Sequence, residues 1–145
     1  MPLYNIKKRL LTIAPNIFAN TPVLFAYLYG SVALDQAHPF SDLDIAVNIG
    51  TQLSLKESLS LELSLSLEID KQMEIAPPCD VRIMNHLPLV VAGQIITDGI
   101  MIYCRDDDFR IDCETSLRGA YFDFLPSLRI FQGEYLQHMD TIADG

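Results

Sequence analysis

Residues 30–44 read GSVALDQAHPFSDLD, and the two aspartates near the end of that stretch, Asp42 and Asp44, constrain the chain more than any other feature. Residues 42–49 alternate apolar with polar or small side chains, which predicts a strand. Alternate side chains of a strand share a face, so Asp42 and Asp44 point the same way. Neighbouring carboxylates repel each other unless a cation lies between them. The chain either tolerates this pair on an exposed polar strand edge or uses it to hold a cation. The rest of the sequence has to supply the other parts of such a site.

The elements around it alternate. Residues 5–13 place Ile6, Arg9, Leu10 and Ile13 at helical spacing, and Pro15 is expected to end that helix. Thr21-Pro22 is a break. Residues 23–29 form a continuous apolar and aromatic run, as expected of a buried strand, and Gly30-Ser31 closes it. A short helix over 31–36 and a loop over 38–40 lead to the aspartates.

Residues 53–67 carry leucine at 53, 55, 59, 61, 63, 65 and 67, close to a two-residue period. Helix is still the better reading. The run exceeds usual strand length and is rich in Leu, Glu and Lys. On a helical wheel Glu57, Ser64, Glu68 and Lys71 make one narrow polar stripe, so the leucines face either the core or a partner. After Pro77-Pro78, residues 79–84 (CDVRIM) predict a strand. Residues 88–97 predict a helix with Pro88 in its first turn and Gly99 past its end. A strand follows over 100–104, then an acidic turn over 106–108. Residues 112–139 read as helical, divided by Pro126. Strands alternating with helices imply an α/β (α+β) architecture, a small mixed sheet flanked by helices. A length of 145 residues implies one domain over 1–145.

Charge excludes some functions. The formal net charge is −9, and the ten basic residues are spread out apart from Lys7-Lys8-Arg9. A protein that grips a phosphate backbone carries a basic patch, so direct nucleic-acid binding is not expected, and a basic protein partner suits the charge better. No apolar run approaches the roughly 18 residues of a membrane helix, and no leader segment is expected. Cys79, Cys104 and Cys113 are odd in number and form no CxxC pair. That fits reduced thiols and a cytoplasmic location. His38, His86 and His138 lack metal-motif spacing and read as structural or surface residues.

The candidate chemistry is metal-dependent phosphoryl or nucleotidyl transfer. It needs carboxylates for divalent ions, a hydroxyl and backbone N–H groups for a phosphate, and glycine where backbone approaches that phosphate. Gly30 and Ser31 follow one predicted strand, and Asp42 and Asp44 share a face of the next. Asp80, near the start of another strand, supplies a third acid. Arg82 shares the face of Asp80 and is expected either to pair with the acids or to touch a phosphate. Asp112, Glu114 and Asp123 are assigned to solvated helix faces.

The pattern G-S-x10-D-x-D, here Gly30, Ser31, Asp42 and Asp44, resembles the signature of the polymerase-β-like nucleotidyltransferase superfamily. Together with the short chain and the downstream run from Cys79 to Asp112, it is most similar to the minimal nucleotidyltransferases. Among these it resembles the antitoxins of the MntA type, which pair with HEPN-domain (HepT-type) toxins. The resemblance covers about residues 20–138. It implies a polymerase-β-like core and a protein adenylyltransferase. Such an enzyme moves AMP from ATP to a tyrosine hydroxyl of a cognate HEPN RNase toxin, silencing it, with two Mg2+ ions as cofactor and a homo- or hetero-oligomeric assembly. Carried over by residue, Gly30 admits the triphosphate and Ser31 hydrogen-bonds a phosphate oxygen. Asp42 and Asp44 hold both metals, and Asp80 completes the site of one and can help take the acceptor's proton. Two other readings stand beside it: an antitoxin that masks its toxin by contact alone, and a small-molecule nucleotidyltransferase of the aminoglycoside type.

Overall fold

The computed structural model describes residues 3–36, 42–74 and 77–144, with side chains through 134 and at 137. Its elements run α1 (Leu3–Phe18), β1 (Val23–Tyr29), α2 (Gly30–Ala33), β2 (Leu43–Ile49), α3 (Leu55–Met73), β3 (Cys79–Ile83), a 3-10 turn (Met84–His86), α4 (Leu89–Asp98), β4 (Ile100–Cys104) and α5 (Asp107–Asp144). The strands form one sheet in the order β3-β2-β1-β4. β1 is antiparallel to both neighbours, and β2 and β3 are parallel. This is the mixed sheet flanked by helices that the element pattern predicts. The expected loop over 38–40 lies outside the described residues.

Alternation divides the sheet into two faces. On one, Ala26 and Leu28 of β1, Leu43, Ile45 and Val47 of β2, and Val81 and Ile83 of β3 pack with Leu10 and Phe18 of α1 and Leu65, Ile69 and Met73 of α3. On the other, Phe25, Tyr27 and Ala46 pack under Met84 and with Ile95 and Ile96 of α4. Asp44 and Asn48 of β2, and Asp80 and Arg82 of β3, alternate with the first set and so belong to this second face.

Two prolines do not act as expected. Pro15 lies inside α1 and Pro126 inside α5. Each removes one hydrogen bond, to the carbonyl four residues earlier. Those residues, Leu11 and Phe122, are exposed, so water can take the orphaned carbonyl. The buried stripe of α1 therefore continues past Pro15 through Ile17 and Phe18. Arg105 then closes the helix end, donating to the carbonyls of Phe18 (2.7 Å), Ala19 (2.8 Å) and Thr21 (3.0 Å). α5 is a single helix of 38 residues, about 57 Å long.

The leucine-rich segment is a helix, and it faces both ways. Leu65, Ile69 and Met73 are buried, while Leu55, Leu59, Leu63 and Leu67 stand exposed one turn apart. Ser54 and Glu57 start it with reciprocal capping bonds, Glu57 N to Ser54 Oγ at 3.1 Å and Ser54 N to Glu57 Oε1 at 3.2 Å. The predicted stripe of Glu57, Ser64, Glu68 and Lys71 is exposed, and a second set of polar positions reaches β3. They are Glu62, Ser66 and Asp70, spaced i, i+4, i+8 along the edge strand. Ile83 N donates to Glu62 Oε2 (2.8 Å), Val81 N to Ser66 Oγ (3.0 Å) and Cys79 N to Asp70 Oδ1 (2.6 Å). One helix thus satisfies the outward N–H groups of β3, which would otherwise form an open sheet edge. Asp70→Ala strands a half-buried donor and is expected to cost about 1–3 kcal/mol, read from the denaturant midpoint. An unchanged midpoint would contradict this edge-capping role.

Glu114 also departs from expectation. It is not on a solvated face: Tyr27 Oη donates to its Oε1, and Arg110 Nη1 donates to its Oε2 at 3.0 Å. Burial and that bond push the Tyr27 phenol far above its ordinary value, so it stays a donor. The triad fastens the start of α5 to the sheet. Gly93 lets α4 pack closely on α5, since a Cβ there would run into the Tyr121 ring. Asp112 and Asp123 are exposed, as predicted.

Candidate active site

The site grows from the register of three strands. Tyr29, the last residue of β1, pairs opposite Asp44 of β2, and Asp44 pairs beside Asp80 of β3. Neighbouring strands lie about 4.8 Å apart, so Tyr29, Asp44 and Asp80 form one row across the second face of the sheet. Asp42 directly precedes β2 rather than lying within it as predicted. It remains near enough that its charge acts on Asp44.

Gly30 turns the chain over this row. Its φ of +78° is left-handed, and a Cβ at this position would overlap Asp44 Oδ2. Both facts require glycine. The turn then tightens into α2, with Leu34 N bonded to Gly30 O (3.2 Å) and Gln36 N to Ser31 O (2.8 Å). The predicted helix over 31–36 is thus shorter, and it begins on the glycine. Ser31 follows at once, half-buried. A recess of about 160 Å³ opens beside Gly30, between it and α4, where Tyr29, Gln94 and Asp98 line it.

The electrostatics fit a site built for a cation. Burial, then the charges of Asp80 and Asp42, hold the Asp44 carboxyl above its ordinary value, with Arg82 pulling the other way. Burial and the Asp44 carboxylate push the Tyr29 phenol up to about 12, so it is a hydroxyl donor at neutral pH. Arg82 Nε lies 3.3 Å from Asp80 Oδ2, with both side chains about half exposed. This is the ion pair offered as one expectation for Arg82, and an exposed pair of this kind is weak and easily exchanged. With Asp80 turned to Arg82, no three His, Cys, Asp or Glu side chains among the described residues are drawn into one metal cage. The donor set itself, hard carboxylate oxygens with mutually raised repulsion, suits Mg2+ rather than a soft metal.

The remaining predicted residues are elsewhere. Cys79, Cys104 and Cys113 are free thiols, and burial holds all three above their ordinary values, which keeps them protonated. His86 is exposed in the 3-10 turn. His38 and the side chain of His138 lie outside the described residues. Among the described residues no helix is long and apolar enough to cross a membrane. Tyr29 was missed by sequence reasoning. Its signal was its place, the last strand residue before Gly30-Ser31.

Residues 12–108 match the family model described as polymerase beta, nucleotidyltransferase, which is more than half of the chain. The chain belongs to this family. Within the nucleotidyltransferase fold, Gly30 and Ser31 occupy the turn after the first strand, Asp44 and Asp80 lie in the next two strands, and Asp42 directly precedes the first of these. Three solved structures are similar along nearly their whole length. One is a toxin–antitoxin complex with AMP-PNP (TM-score 0.58, 16% identity, 94% of this chain and 97% of that one). Another is the MNT antitoxin in complex with the tri-AMPylated HEPN toxin of Shewanella oneidensis (TM-score 0.54, 16% identity, 94% and 98%). A third is a toxin–antitoxin complex, MntA-HepT (TM-score 0.53, 18% identity, 93% and 97%). At this identity they share the nucleotidyltransferase fold with the chain. No curated protein sequence matches it.

Proposed function

We propose that this nucleotidyltransferase is a cytoplasmic antitoxin that transfers AMP from ATP to a tyrosine hydroxyl of a HEPN-domain RNase toxin. The observation that carries the reading is the row Tyr29–Asp44–Asp80 under the Gly30 turn, in a chain of this family. The choice of acceptor is supported by its neighbours: one solved relative in fold holds AMP-PNP, and another is paired with a tri-AMPylated HEPN toxin.

Asp42, Asp44 and Asp80 would hold Mg2+, two ions in the full site. When bound, the metal offsets charge on the α-phosphate and its leaving pyrophosphate. The chain's own residues do the rest. Gly30 leaves room for the triphosphate against the backbone, and Ser31 donates its hydroxyl to a phosphate oxygen. The Asp80 carboxylate, released from its exposed pair with Arg82, accepts the proton of the attacking tyrosine hydroxyl. Arg82 is then free to face the phosphates. The attacking oxygen bonds to the α-phosphorus as the bond to pyrophosphate breaks.

The test is neutralisation in cells. With a HEPN-domain RNase toxin co-expressed, wild type is expected to restore growth and Asp42→Asn/Asp44→Asn is expected to fail. Equal rescue by both would overturn the transferase reading in favour of an antitoxin that masks by contact.

A further inference from the structure

α3 leaves one apolar row uncovered. Leu55, Leu59, Leu63 and Leu67 follow one another at four-residue spacing and are 77%, 57%, 61% and 60% exposed. Single exposed leucines are ordinary on a protein surface, but four in one continuous row mark an interaction face. Leu65, Ile69 and Met73 already hold α3 against the first face of the sheet, and Glu62, Ser66 and Asp70 hold it to β3. The exposed row serves neither contact. Asp44 and Asp80 belong to the second face, so the row is no part of the candidate active site.

The next row of the same helix has the complementary shape. Lys56, Ser60, Ser64 and Glu68 also follow at four-residue spacing, and all are exposed. The two middle members are small. With Leu53, Leu61 and Pro22 they line a groove of about 620 Å³ beside α3. Helices most often pack by seating the i±4 ridge of one in the groove beside the same ridge of the other. Here one helix carries both the ridge and the groove. The charges follow the same arrangement. Lys56 stands at one end of the groove row and Glu68 at the other. With Glu57 and Lys71 beside them, the exposed face of α3 sets two lysines against two glutamates, in a chain whose net charge is −9.

We propose that a second copy of this chain covers the row, with α3 packed antiparallel on α3 about a two-fold axis near Leu61. Such a contact is isologous, so each ridge fills the other's groove. Leu55 of one copy then meets Leu67 of the other, Leu59 meets Leu63, and Lys56 faces Glu68 at both ends. A parallel pairing would instead set Lys56 against Lys56 and Glu68 against Glu68. A basic partner finds no net negative charge on this face to grip. The contact takes one helix from each copy, at the small end of specific interfaces, so the dimer is reversible. Both acid rows stay open, because α3 covers the opposite face of the sheet. The inference is independent of the transferase reading.

Sedimentation equilibrium of the full chain over a concentration series is the test. Wild type is expected to show a monomer–dimer equilibrium. Leu59→Glu/Leu63→Glu is expected to stay monomeric at every concentration. Both positions are exposed, so at dilutions where wild type is also monomeric the variant is expected to melt as wild type does. Lys56→Glu and Glu68→Lys are each expected to weaken the dimer about tenfold, since each reverses one charge at both ends. Combining them in one chain is expected to restore it, which only the antiparallel pairing does. Three results would overturn the proposal. One is a wild-type chain that stays monomeric at millimolar concentration, which would assign the row to another protein. Another is a dimer that survives Leu59→Glu/Leu63→Glu. The third is a charge swap that does not restore the dimer.

Discussion

Asp44→Asn is expected to abolish nucleotidyl transfer, by about 10³-fold or more, and to raise the melting temperature of the metal-free protein. The loss follows from the position of Asp44. It is the middle member of the row, with Asp80 beside it and Asp42 two residues before it, and divalent metal in such a site supplies several kcal/mol of charge stabilisation. The gain follows from the same repulsion. Burial, Asp80 and Asp42 hold the Asp44 carboxyl above its ordinary value. A raised folded-state value means that the protonated form suits the fold better. That contribution is complete below the ordinary aspartate value and is lost as pH climbs through the raised one. At neutral pH wild type therefore carries an ionised Asp44 that the metal-free fold resists, and asparagine removes it. The side chain is partly solvated, so the gain is modest, up to about 1 kcal/mol after screening. Thermal melts with and without Mg2+ check both halves. Mg2+ is expected to stabilise wild type and to do little for the variant. A variant that melts lower without metal would refute the repulsion argument.

Gly30→Ala is expected to damage both stability and activity. The left-handed φ of +78° costs an alanine about 1–2 kcal/mol. The added Cβ would also meet Asp44 Oδ2, and either the turn or the carboxylate must move. Displacing a carboxylate by even 1 Å is enough to cost about 10²-fold in rate. Denaturant unfolding reads the first effect, and transfer rate at saturating ATP and Mg2+ reads the second. An alanine variant with wild-type transfer would mean that the turn does not position the acid row.

Much of the candidate site is legible in the sequence. The strand that ends at Tyr29 is a continuous apolar run, and the next strand begins beside an Asp-x-Asp pattern, so period and punctuation located both. Asp80 was legible from its strand and its place in that strand. The register that sets Asp80, Asp44 and Tyr29 in one row was not, because pairing is decided between strands and leaves no local trace. Proline misled twice, at Pro15 and Pro126, since each sits where the carbonyl it orphans belongs to an exposed residue. Glu114 was misplaced because its partners, Tyr27 and Arg110, include one 87 residues away. The edge-capping residues of α3 were not legible for a similar reason. A helical wheel shows which residues share a side but not that Glu62, Ser66 and Asp70 cap a strand edge. The capping pair Ser54 and Glu57 was there to be read, and would have set the start of that helix.

The central claim is that the acid row transfers a nucleotide to a protein hydroxyl. It is tested most directly by label transfer from α-phosphate-labelled ATP with Mg2+, using the purified protein encoded by the neighbouring gene as acceptor. Label is expected on a tyrosine of that protein. It should require Mg2+ and vanish with Asp42→Asn/Asp44→Asn. A stable complex between the two proteins that remains unlabelled, while still inhibiting the RNase, would contradict the claim.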